Sequence, residues 1–147
     1  MNIMSNFAEV LGDLLNERNM NAKQLTLEIG AQNSSVSLYL RAMSIPTIKW
    51  LVIIANYFNC STDYLLGLDE EIKSGNFCAC PPFNEQIEYL KQHFKCSNSF
   101  FYTNSGIPKT RFYDWLNGKR VPTVESVVKL AKHLDCSVDF IIGRSKA

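Results

Sequence analysis

Phe7, Val10, Leu11, Leu14 and Leu15 recur at intervals of three and four residues, the spacing at which side chains share one face of an α-helix. A first helix is therefore predicted over about residues 6 to 19. Asn21 followed by Gln24 is a variant of the capping box and opens a short second helix, and Gly30 supplies a left-handed stop after it. A third helix carries Val36, Tyr39 and Leu40 on its apolar side and ends before Pro46. Thr47 starts a fourth, which runs to Asn59 with Ile48, Leu51, Ile54, Ala55 and Phe58 facing inward, and Ser61 or Thr62 caps a fifth. The pattern predicts an all-α fold.

The pattern then occurs again. "FNCSTDYLLG" at residues 58–67 is answered by "LDCSVDFIIG" at 134–143. A shift of 76 residues without a gap pairs Phe7 with Phe83, Gly30 with Gly106, Pro46 with Pro122, Ala55 with Ala131 and Gly67 with Gly143. The chain thus reads as two small domains, residues 1–68 and 83–147, each of a size that can still fold alone. Between them "DEEIKSGNFCACPP", residues 69–82, has the acidic, Ser-Gly and proline composition of a linker.

At 46% hydrophobic and 20% charged residues, the composition is that of a soluble globular protein. No apolar run approaches the roughly 18 residues of a membrane span, and the N-terminal stretch lacks the pattern of an export signal, so a cytoplasmic location is expected. Five cysteines without a dense disulfide pattern fit a reducing compartment. Cys78-x-Cys80 with His93 and Cys96 has the ligand types of a tetrahedral zinc site. Its first pair sits in the linker and its second at a helix end, so no metal and no other cofactor is expected.

Five helices in about 65 residues, with the second and third joined by a tight glycine turn, form the plan of a helix-turn-helix unit. The second repeat, "SGIPKTRFYDWLNGKRVPTVESVVKLAKHLDCSVDFIIGR", resembles the Cro and phage-repressor (XRE-type) helix-turn-helix family, and the first is similar to it at the framework positions. The resemblance implies two lambda-repressor-like five-helix domains in tandem and double-stranded DNA as the partner. In that family the third helix enters the major groove, while phosphates are held from the first helix, the start of the second and the loop after the third.

Carried onto the second repeat, this places Lys109, Thr110 and Asp114 against base edges. Lys109 suits guanine O6 or N7, Thr110 can use its hydroxyl or its methyl, and Asp114 can accept from cytosine N4 or pair with a neighbouring cation. Phosphate contacts fall to Lys91, Ser97, Asn98, Arg111, Tyr113, Asn117, Lys119 and Arg120, with Gln86 as a further polar position on the first helix. Phe112, Trp115 and Leu116 are expected in the core.

The first repeat departs from this set. Leu15 stands for Lys91, Val10 for Gln86, and Arg41-Ala42-Met43-Ser44 for Asn117-Gly118-Lys119-Arg120. Ala42 takes a position that favours glycine, at a strain of about a kcal/mol unless the turn has changed. Residues 1–68 carry four basic against five acidic side chains, net −1, and residues 83–147 carry ten against six, net +4. Phosphate neutralisation is the main sequence-independent source of DNA affinity, so the second repeat is the better reader. Asn21, Asn33, Ser34, Ser37 and Arg41 remain as secondary contacts by which one chain can act as a pseudo-dimer.

On the fourth helix, Ser126, Lys129 and His133 of the second repeat become Trp50, Ile53 and Tyr57 in the first. This added apolar stripe should be covered, either by the other repeat or by a second chain in a homodimer. A rival reading is a protein-interaction adaptor, antitoxin-like or anti-repressor, that uses the same stripe. An enzyme is the weakest reading, because His93 and His133 have no nucleophile or paired carboxylates at a workable spacing.

Overall fold

The computed structural model describes residues 2–32 and 34–146. Every regular element among them is a helix, and the chain divides into two compact units, one ending at Gly75 and one beginning at Asn76.

In the first unit, α1 spans Ile3–Glu17, α2 Ala22–Ile29, α3 Ser35–Leu40, α4 Ile48–Phe58 and α5 Thr62–Leu65. Helix α1 begins earlier than its apolar period indicates, because the Asn2 side chain accepts from the Ser5 amide at 3.1 Å and caps it there. It also stops earlier, since Asn19 turns left-handed at φ 53°. The capping box of α2 is complete: Asn21 Oδ1 accepts from Gln24 N at 2.9 Å, and Gln24 Oε1 accepts from Asn21 N at 2.8 Å. Thr47 caps α4, and Ser61 rather than Thr62 caps α5. Phe7, Leu11, Leu14, Leu25, Val36, Leu51, Ile54 and Leu65 close the core around these helices.

In the second unit, α6 spans Phe83–Phe94, α7 Asn98–Tyr102, α8 Lys109–Leu116, α9 Val124–Leu134 and α10 Val138–Ile142. Phe112 and Trp115 are fully buried, with Phe101 stacked on Phe112 at a ring separation of 5.3 Å. Leu116 is only half-buried. Helix α8 is thereby fixed by one face and keeps the other for solvent.

The stretch expected as a linker is shared between the units. Ile72 O accepts from Ser61 N in the first. In the second, the Arg144 guanidinium lies 3.7 Å from the centre of the Phe77 ring, and Cys78 N donates to Arg144 O at 2.8 Å. Arg144 is itself buried and paired with Asp139 at 3.1 Å. Gly143 makes this docking possible: its φ is +84°, and a Cβ there would stand 2.6 Å from Pro81 Cδ and 2.7 Å from Gln86 Oε1. An aromatic ring and a buried cation thus dock residues that look like a spacer onto the second unit.

Candidate nucleic-acid interface

Helix α8 offers its first turn to solvent. Pro108 precedes it, no side chain caps it, and no acidic residue lies in its first turn. Lys109 and Thr110 are exposed there. The Lys109 ammonium sits 5.9 Å from the centre of the Tyr102 ring, at the end of α7, which restrains a long flexible side chain through a weak cation–π attraction. Tyr102 also lies 6.2 Å from the ring of half-buried Tyr113. Tyr102 has no counterpart among the expected site residues; in the sequence, its place two residues before the Asn104-Ser105-Gly106 turn is the local signal that it meets α8.

The loop after α8 turns at Gly118, φ +75°. Lys119 N donates to Asp114 O at 2.8 Å, and Arg120 N reaches the same carbonyl at 3.3 Å. Asn117 and Lys119 are exposed, and Lys119 has no ion pair among the described residues. Arg120 is different, because its Nε lies 3.5 Å from Asp114 Oδ2. The Asp114 carboxylate thus makes the expected pairing with a neighbouring cation. Arg111 is half-buried on the flank of the helix.

Four other expected positions, on α6 and at the start of α7, are paired or partly covered. Lys91 is largely covered and lies 3.7 Å from Glu88 Oε1, one turn earlier on α6. Gln86 is buried, and its Nε2 donates to Phe140 O at 3.0 Å; it is a bond between α6 and α10, not a polar surface position. Ser97 does not cap α7, since its hydroxyl pairs with that of Ser99 at 3.0 Å. Asn98 at the start of α7 is half-buried, with Oδ1 enclosed and unpartnered among the described residues.

The corresponding surface of the first unit is poorer in charge. Asn21 is consumed by its capping box. Ser34 and Arg41 are exposed and Ser37 is half-buried, while Asn33 lies outside the described residues. Arg41 Nη2 donates to Met43 Sδ at 2.8 Å. Ala42 retains the left-handed turn, φ 56°, and Met43 N donates to Leu38 O as Lys119 N does to Asp114 O. The two loops share this turn and this hydrogen bond and differ in side chains, with Met43 and Ser44 where the second unit has Lys119 and Arg120.

Trp50, Ile53 and Tyr57 are all half-buried. The Tyr57 hydroxyl donates to Met20 Sδ at 3.6 Å, and the Arg18 guanidinium lies 5.3 Å from its ring centre, so the corner between α1 and α2 covers one end of the stripe. The large apolar side chains most open to solvent in this unit are instead Leu27, 72% exposed, and Met43, 60%.

His93 stands among aromatic rings, 4.8 Å from Phe94 and 4.8 Å from Phe140. Burial pushes the Cys80 and Cys96 thiols above their usual pKa. No three His, Cys, Asp or Glu side chains gather in a metal-binding group among the described residues.

Residues 88–141 match the Helix-turn-helix family model. The match covers a little over a third of the chain. It runs from within α6 to within α10 and takes in Lys91, Ser97, Asn98, Lys109, Thr110, Arg111, Tyr113, Asp114, Asn117, Lys119 and Arg120. No curated protein and no solved structure matches the chain significantly. Within the matched segment, α8 follows α7 after the turn at Gly106, and its first turn carries exposed Lys109 and Thr110. No helix of the described residues is long and apolar enough to cross a membrane.

Proposed function

We propose that the chain is a non-catalytic, sequence-specific DNA-binding transcriptional regulator of the XRE type, in which α8 of the second unit reads the major groove. The observation that carries this reading is the open edge formed by Lys109, Thr110, Asn117 and Lys119, in a stretch of net charge +4 within which residues 88–141 match the helix-turn-helix model. Lys109 and Thr110 are the base-reading positions; Lys119 and Asn117 hold phosphate, with Arg111 and Tyr113 flanking the groove. The first unit, residues 1–68 at its core, is a tandem relative with a weakened DNA surface. Two chains pairing as a homodimer would set two second units over two half-sites. Selection from a random duplex pool tests the reading: a palindrome is expected for a dimer and a single half-site for a monomer, whereas no enrichment would refute specific binding.

A second reading is favoured by one observation. Leu27 and Met43 stand open on the first unit, and such residues suit contact with a protein. An adaptor of this kind would show little DNA affinity at any salt concentration, whereas DNA binding must fall steeply as salt rises.

A further inference from the structure

We propose that Arg120 is a guanine-selective base reader held in place by Asp114, rather than a phosphate clamp. The inference rests on the DNA-binding reading of α8 and deepens it.

Arg120 is tied to Asp114 by its backbone amide and by an exposed ion pair. The left-handed turn at Gly118 brings the chain back over α8, so that the Lys119 and Arg120 amides both donate to Asp114 O, at 2.8 and 3.3 Å. From there the Arg120 Nε lies 3.5 Å from Asp114 Oδ2, with the arginine side chain 60% exposed and the aspartate 33%. Asp114 stands four residues beyond Thr110 on α8, one helical turn along the same face. The guanidinium therefore emerges beside the residues that meet the bases.

The geometry decides which edge of Arg120 is free. The ion-pair contact is made at Nε, which leaves the Nη1–Nη2 edge as a planar pair of donors for a ligand. Guanine O6 and N7 accept such a fork in two parallel hydrogen bonds. A phosphate also accepts this fork, but exposed Lys119 next in the chain, a point charge on a flexible stem, serves a phosphate without being aimed. Asp114 is then explained as well: a bare carboxylate on a groove-facing helix would repel the DNA backbone, but one paired with arginine is neutralised and acts as a positioning residue. The first repeat has Leu38 and Ser44 at the matching positions, so the device belongs to the second unit alone. Because an exposed pair contributes little to folding, it can be removed without unfolding the protein.

The test uses the full chain, wild type and as Arg120→Ala, Arg120→Lys, Asp114→Ala and Asp114→Asn, each checked by circular dichroism. Duplexes selected by the wild type are titrated by fluorescence anisotropy, along with versions carrying 7-deazaguanine at one guanine at a time and a random-sequence duplex. The expected result is one guanine whose 7-deaza replacement weakens wild-type binding about tenfold or more and leaves Arg120→Ala unaffected. Arg120→Lys and both Asp114 variants should lose most of that preference, and the Asp114 variants, each relieved of a negative charge, should bind the random duplex no more weakly than wild type. The proposal is overturned if Arg120→Ala weakens selected and random duplexes equally with a salt slope reduced by about one, or if Asp114→Ala retains the full guanine preference. Wild-type protein that binds no duplex overturns the DNA-binding reading and this inference with it; specific wild-type binding without an Arg120-dependent guanine overturns the inference alone.

Discussion

Replacing Ala42 with glycine should stabilise the first unit, and replacing Gly118 with alanine should destabilise the second by a similar amount. Ala42 sits at φ 56° and Gly118 at φ +75°, in the turns that close α3 and α8. The left-handed region costs an L-residue about 1–2 kcal/mol, whereas glycine loses roughly 0.5–1 kcal/mol more backbone entropy on ordering. The difference leaves about 0.5–1 kcal/mol in favour of glycine at each site. Steric contact does not alter this at Gly118, because an added Cβ would meet only Asn84 Nδ2, at the ordinary distance of 3.9 Å. With an m-value of about 1 kcal/mol/M for so small a unit, the urea midpoint should rise by about 0.5–1 M for Ala42→Gly and fall as much for Gly118→Ala. Amide exchange resolved by segment across a urea series reads the units separately, through α1 and α4 for the first and α6 and α9 for the second. An Ala42→Gly variant that is neutral or less stable, or a Gly118→Ala variant of unchanged midpoint, would refute the reasoning that both loops are held left-handed.

Lys109→Ala should weaken binding to a selected duplex by about 1–3 kcal/mol and relax its sequence preference, while Lys119→Ala weakens selected and random duplexes alike; paired anisotropy titrations check both. Arg144→Met should destabilise the second unit by about 3–5 kcal/mol, because it leaves buried Asp139 without its 3.1 Å ion pair; urea unfolding measures the loss, and a change under 1 kcal/mol would contradict the burial argument. Trp50→Lys with Ile53→Lys should lower the solution mass if the stripe on α4 joins two chains, and light scattering at several concentrations reads it directly.

What was legible in the sequence is what acts within one helical turn. The Asn21–Gln24 capping box, the Thr47 and Ser61 caps and the buried faces of α4 and α8 depend on residues three or four apart, and their side-chain chemistry is nearly sufficient to place them. What the sequence did not make legible depends on partners beyond one helical turn. Gln86 looks like a surface amide until Phe140 O, 54 residues away, is brought to it. Residues 76–82 have a spacer's composition, but Phe77 meets Arg144 and Pro81 meets Gly143 only once α10 is formed. Asp114 and Arg120 are six apart, which is beyond helical spacing, and they come together because Gly118 reverses the chain between them. The apolar stripe of Trp50, Ile53 and Tyr57 is a case between the two. Its helical spacing was legible, whereas its partial cover by Met20 and Arg18 was not.

The central claim is that DNA contact belongs to the second unit and has faded from the first. An anisotropy titration at two salt concentrations, with the full chain as Lys109→Glu with Lys119→Glu against Lys23→Glu with Arg41→Glu, tests it most directly, because each pair reverses two charges on one unit. The account predicts that the first pair abolishes binding to a selected duplex without changing the mass in solution, and that the second pair lowers affinity only slightly. Equal losses for both pairs, or a larger loss for Lys23→Glu with Arg41→Glu, would contradict it.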